Sequence, residues 1–294
     1  MLSHCEALEQ FQDKECVGLA YALTNLAKLY AAQGKFTDSL AQYKIVLGML
    51  TRVLPRSHRI TAHTLMDLGH TYESLRRYKE ALGQYNAALV MERKCYNTEI
   101  HTEIAETYHC IGNIYSLERD YDKALMYFEK ALVIKKITFG DEHIEVVSTL
   151  SHMGNLHKYR GQYDMALEIH AEVLKLKKIL YGNDSPSVQT TIEIIGKITR
   201  IDIIRQDAER QLYKYIESRS HEIKIEFEGM GFFSKDAKLH AAEFLLKLIK
   251  DQGVERFNNL DRVVGYYKHK GATENGRLGH IVENIQKEAF TNFR

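Results

Sequence analysis

Between Ala105 and Gly140 the apolar and small residues fall three and four apart in two runs, divided by the polar turn Leu117-Glu118-Arg119-Asp120. Residues at that spacing share one helix face. Ile111, Gly112 and Tyr115 therefore lie together in the first run, and Tyr121, Ala124, Phe128 and Ala131 in the second. The small residues allow close approach, and the rings of Tyr115, Tyr121 and Phe128 fill the seam. Two helices on a short turn form an antiparallel hairpin.

One hairpin cannot bury both of its faces, so the pattern is expected to recur. It does. The first-helix small residue returns as Ala27, Gly69, Gly112 and Gly154, at spacings of 42, 43 and 42 residues. Three residues later come Tyr30, Tyr72, Tyr115 and His157. The second helices carry Ser39, Ala81, Ala124 and Ala166, then a ring at Tyr43, Tyr85, Phe128 or His170, then Val46, Ala88, Ala131 or Val173.

These positions, with the segments GKFTDSLAQY, RRYKEALGQY, RDYDKALMYF and GQYDMALEIH, resemble the tetratricopeptide repeat. The period is similar to the longer form found in kinesin light chains rather than the usual one of about 34 residues. TFGDEHIEVVSTL, from Thr138 to Leu150, resembles that family's inter-repeat linker. The resemblance implies an all-α fold: a right-handed superhelical solenoid of helix hairpins with a small C-terminal helical cap or module.

On this reading residues 1–15 form an N-terminal cap helix, or the end of a truncated repeat. Four repeats occupy 16–184, with breakers at Pro55, Asn97, Gly140-Asp141 and Gly182-Asn183-Asp184. Residues 185–225 form either a degenerate fifth repeat or one capping helix. Ser185-Pro186 suits a helix start, and Gly196 and Ala208 keep the register, but Ile203-Ile204 stands where a polar turn is needed. Residues 226–294 form a C-terminal helical module. Across its start, Ile223, Ile225 and Phe227 alternate with charges, which predicts extended chain. Beyond, helices are expected over 235–251, 254–270 and 277–290, as a cover for the last apolar face or as a separate module.

Charge and composition narrow the function. Of the 294 residues 45% are apolar and 27% charged, with a net charge of +1, a balance that gives no bulk attraction to nucleic acid or acidic membranes. No apolar run approaches the roughly 18–20 residues that span a bilayer, and the start, MLSHCEALEQFQDKECVGL, lacks the features of a secretory signal. Cys5, Cys16, Cys95 and Cys110 form no CxxC pair, so reducing cytosol is the expected compartment, or a host cytosol for a secreted bacterial effector.

Candidate chemistry is sparse. GATENGRLG, at Gly271 to Gly279, lacks the GK[ST] of a phosphate loop. Lys268, His269 and Lys270 suit the negative end of a helix stopped by Gly271, a better account of the cluster than contact of these charges with RNA beside Tyr266 and Tyr267. The 14 histidines include no HExxH and no ligand set, so no metal and no cofactor are expected. His157 and His170 occupy ring positions, where packing explains them; His58, His101 and His143 recur in linkers, where capping or linker contacts explain them as well as function would. No nucleophile, base and orienter can be assembled, and no enzyme or small-molecule substrate is expected.

The resemblance places ligands along the concave groove lined by the first helices. The groove positions are Thr24, Lys28 and Ala31; Met66, His70 and Glu73; His109, Asn113 and Ser116; Ser151, Asn155 and Lys158; and Glu193, Lys197 and Arg200 from the fifth copy. Asn113 and Asn155 suit a peptide backbone, since an amide both donates and accepts. Lys158, Lys197 and Arg200 favour an acidic segment. A carboxylate clamp of the chaperone-binding kind does not match, because His152 and Ile194 stand where it needs polar or basic partners. The expected function is a scaffold that binds an extended or acidic peptide of another protein. The alternative makes the repeats a targeting array for a C-terminal effector, an enzyme or nucleic-acid module.

Overall fold

In a computed structural model, the described residues are 2–54, 58–227, 242–243 and 246–247. They form helices, with no strand among them. The helices are α1 (Leu2–Ala32), α2 (Phe36–Val53), α3 (Arg59–Ser74), α4 (Tyr78–Tyr96), α5 (Thr102–Leu117), α6 (Tyr121–Phe139), α7 (Ile144–Tyr159), α8 (Tyr163–Tyr181) and α9 (Pro186–Phe227). The chain divides into two compact units, Met1–Thr149 and Leu150–Arg294, and the division falls within α7.

In the first unit α1 packs on α2, α3 on α4 and α5 on α6, and the successive pairs adjoin through α2 and α3 and through α4 and α5. Each hairpin closes where the pattern predicted. A Cβ placed on Gly69 would lie 2.4 Å from a ring carbon of Tyr85, and one on Gly112 would lie 3.0 Å from Phe128. Only a residue without a side chain admits a ring at that range. Tyr43, Tyr85 and Phe128 are buried, as are Ala27, Ala81, Ala124, Ala88 and Ala131. In the second unit Gly154 and His170 repeat the arrangement at 2.9 Å.

The turns share a register. Gly34, Arg76, Arg119 and Gly161 each adopt positive φ, between 58° and 75°. The same register in the fifth copy falls on Ile203. A β-branched residue is a severe outlier in left-handed backbone, so the chain does not turn there. Instead α9 runs unbroken for 42 residues. It packs on α8, burying Val188, Ile198, Ile201, Ala208 and Leu212 while Ile203 faces outward. A Cβ placed on Gly196 would have nothing within 4 Å, so this glycine makes no notch.

Two further differences from expectation are visible. Ile223, Ile225 and Phe227 belong to α9 rather than to extended chain. Their alternation is interleaved with His221, Glu222, Lys224 and Glu226, without a Gly or Pro to stop a helix already under way. At the other end α1 is continuous through residues 15 and 16. Residues 242–243 and 246–247 are helical, within the helix expected over 235–251. The later helices, the 266–270 cluster, GATENGRLG and Pro55 lie outside the described residues.

Candidate functional site

The linkers are built on histidine. His58, His101 and His143 precede α3, α5 and α7, and in each the ring Nδ1 accepts from the backbone N–H two residues on, at 3.2 Å. A helix start leaves such donors without partners, and a side-chain acceptor supplies one. The His101 ring stacks on Tyr96 and the His143 ring on Phe139, with centroids 3.5 and 4.4 Å apart. Ser185 does the same at α9, accepting from Ser187 N–H at 3.3 Å. These three histidines hold linkers.

Neighbouring first helices are tied together residue by residue in the first unit. Lys28 pairs with Asp67 at 2.9 Å. His63 and Arg59 both reach Glu103, which also accepts from the Tyr96 hydroxyl. His109 approaches Thr149 at 3.4 Å. Two residues expected to line the face are consequently covered. Met66 is buried with its sulfur 3.2 Å from the Thr107 hydroxyl, and His109 is buried with its ring edge-on to Phe128. Both are corrections to the expected set, because Thr107 meets Met66 and Thr149 meets His109 within the first unit.

The ring of the second repeat ends in chemistry. The single Tyr85 hydroxyl proton goes to Glu73 Oε2 at 2.8 Å, so the tyrosine oxygen must accept from His70 Nδ1–H at 2.9 Å. Burial pushes the Glu73 carboxyl up, but the hydrogen bonds from His70 and Tyr85 outweigh it and hold it below the ordinary range. His70 Nε2 lies 3.9 Å from Cys110 Sγ. Cysteine, histidine and glutamate thus stand in the order of a thiol-enzyme triad. The chemistry contradicts that reading: burial, and then the Glu106 and Glu73 carboxylates, push the Cys110 thiol well above its ordinary value. A nucleophile needs thiolate, and this sulfur is a buried thiol.

His70 and Glu73 also line an open cavity of about 650 Å³ with Ser74, Arg76, Tyr78 and Leu117. Asn113 and Ser116 are half-buried on α5, and Asn113 has no side-chain hydrogen bond among the described residues. Thr24 is half-buried and turned back on Ala20 O at 2.8 Å, and Ala31 is half-buried. In the second unit Ser151, Asn155 and Lys158 are half-buried on α7, while Glu193, Lys197 and Arg200 are exposed on α9. His157 is buried and meets Gln162 Oε1 at 2.7 Å. The ring of His170 is buried with neither nitrogen hydrogen-bonded. Burial, with the charges of Lys158 and Lys177, lowers its pKa to about 4.

A family profile described as "Tetratricopeptide repeat" matches residues 18–91 and 103–179, just over half of the chain. This chain belongs to the tetratricopeptide repeat family. Among solved structures, BtubC (BKLC) from P. vanneervenii is 20% identical, with a TM-score of 0.55 over 65% of this chain and 80% of that one. Repeats of a putative kinesin light chain from Podosopora anserina are 16% identical, with a TM-score of 0.56 over 64% and 88%. These likenesses concern the fold. No curated protein sequence matches the chain.

Tetratricopeptide arrays are typically non-catalytic interaction scaffolds, and the repeats here support that role. Sequence reasoning had missed one row of the first-helix face, six residues before the small residue and seven before Lys28, His70 and Asn113. It holds Tyr21, which is 63% exposed, His63 bound to Glu103, and Glu106 near Lys135 at 3.6 Å. Helical spacing alone would have found it, since seven residues are about two turns.

Proposed function

We propose that this tetratricopeptide repeat protein is a non-enzymatic scaffold whose first-helix faces bind an extended or acidic peptide segment of a partner protein. The observation that carries the reading is the state of the polar groups on those faces. The rings beneath them are closed over Gly69, Gly112 and Gly154, so the hairpins need nothing further from Asn113 or Asn155. Both amides are half-buried and have no hydrogen-bond partner among the described residues. A half-buried amide that the fold does not use can pair with the backbone of an added chain.

In the second unit Lys197 and Arg200 are exposed on one side of α9 and carry no ion pair among the described residues. They favour acidic residues in the bound segment. Exposed charges of this kind set encounter rate and selectivity more than affinity.

Peptide-array binding of the purified chain tests the proposal. Asn113→Ala with Asn155→Ala is expected to weaken the peptides it selects by about tenfold, the loss of one or two hydrogen bonds with their donors left unpaired. Unchanged binding to every selected peptide would remove the first-helix faces as the site.

A further inference from the structure

We propose that the cavity at the α3–α4 turn is a subsite for a basic side chain, a lysine or arginine of the bound peptide seated against Glu73; this rests on the peptide-binding reading above. The cavity, about 650 Å³ and lined by His70, Glu73, Ser74, Arg76, Tyr78 and Leu117, lies wholly within the first unit. Its volume is in the range of pockets that hold small ligands, ample for one long side chain.

The hydrogen bonds behind it have a direction. His70 Nδ1–H donates to the Tyr85 oxygen, and the Tyr85 hydroxyl donates to Glu73 Oε2. Both donors therefore stabilise negative charge at Glu73, while Oε1 has no partner among the described residues. That oxygen belongs to a side chain 26% exposed, on the cavity wall. An ionised acceptor that is partly desolvated and half satisfied is a site for an N–H donor carrying positive charge. Tyr78 and Leu117 supply apolar wall, and Leu117 is 51% exposed. A lysine or arginine brings methylenes for that wall and a cation for the carboxylate.

Arg76 also borders the cavity, and among the described residues it has no ion pair. Its charge would oppose a cation and attract an anion, so the sign of the ligand depends on which group dominates. Arg76 is exposed, where solvent and salt screen its field; Glu73 is largely covered, where they do so less. An anion on Arg76 would also share the cavity with the Glu73 carboxylate. The cation prevails.

The test titrates the full chain with Nα-acetyl-lysine amide, Nα-acetyl-norleucine amide and Nα-acetyl-glutamate amide, following the His70 and Leu117 resonances. The lysine compound is expected to produce saturable shifts that the other two do not. Glu73→Gln should weaken it by at least about tenfold, the scale of a charge-assisted hydrogen bond. The amide oxygen of that variant can still accept from Tyr85, and an unchanged thermal melt would verify the fold. Arg76→Ala should strengthen lysine binding severalfold.

Several outcomes would overturn the proposal. Equal shifts with norleucine would make the cavity merely apolar, and preference for glutamate with loss on Arg76→Ala would invert its charge. No response to the lysine compound, or an indifferent Glu73→Gln, would empty it. The broader reading fails separately. If the paired asparagine substitutions leave array binding intact, the faces are not the peptide site, whatever the titration reads at Glu73.

Discussion

Glu92 in the first unit and His170 in the second are both buried ionisable groups at helix seams, and they are finished in opposite ways. Glu92 takes a register that holds Leu50 in the first repeat, Lys135 in the third and Lys177 in the fourth. Lys135 meets Glu145 at 2.8 Å, and Lys177 reaches the Thr191 hydroxyl at 3.0 Å. Glu92 has no cation among the described residues; both its oxygens lie within 2.9 Å of the Thr107 hydroxyl. Thr64, Thr149 and Thr191, at the register of Thr107, bond back to their own helix carbonyls, whereas Thr107 turns to the carboxyl. Burial pushes the Glu92 pKa up to about 7, with Thr107 opposing and the Glu103 charge adding. His170 has no such acceptor or donor, and burial drives its pKa down instead. Shape alone satisfies the repeat at both positions; the polar atoms set how each unit answers to pH.

The largest expected effect is on that response. Glu92 has a folded pKa above its ordinary 4.5, so its contribution is full below 4.5 and is lost as pH rises to about 7. His170 has a folded pKa below its ordinary 6.5, so its contribution is full above 6.5 and is lost as pH falls to about 4. Each swing amounts to about 3 kcal/mol, and between pH 4.5 and 6.5 the two slopes oppose. Local opening free energies from hydrogen exchange should therefore fall with pH around α4 and α5 and rise with pH around α8. Glu92→Leu and His170→Phe should each flatten only its own unit. Parallel profiles would break the comparison.

The difference also assumes that the Tyr85 ring cannot swing aside. Gly69→Ala places a methyl 2.4 Å from a ring whose tip is held by His70 and Glu73. A loss of about 2 kcal/mol in urea unfolding is expected, the scale of overpacking. A neutral result would show that the ring yields, as an unanchored His170 would. The smallest effect sharpens the contrast with the fifth copy. Gly196→Ala has open space within a helix, so it should stabilise by about 0.5–1 kcal/mol in the same assay.

The hairpins were legible because the pattern that encodes them is local. A small residue, a ring and a small residue at fixed spacing are enough, and Gly69 with Tyr85 and Gly112 with Phe128 meet as that spacing requires. The fate of the last copy was legible only in part. Gly196 keeps the register while Ile203 forbids the turn, and only the conformation demanded at that turn decides between them. Candidate site residues were harder. Position on a helix face predicts Met66 and His109 as equals of His70 and Asn113, yet burial removes the first two.

What the sequence determined by itself is the repeat: its period, its hairpins and its family. These follow from side-chain size and helical spacing within some forty residues of chain. What only the tertiary structure decided is which polar groups are used up and which stay open. Thr107 leaves its own helix for Glu92, Lys28 is committed to Asp67, and one Glu73 oxygen is left without a partner among the described residues. Those outcomes depend on contacts between atoms of neighbouring helices, which no local pattern encodes.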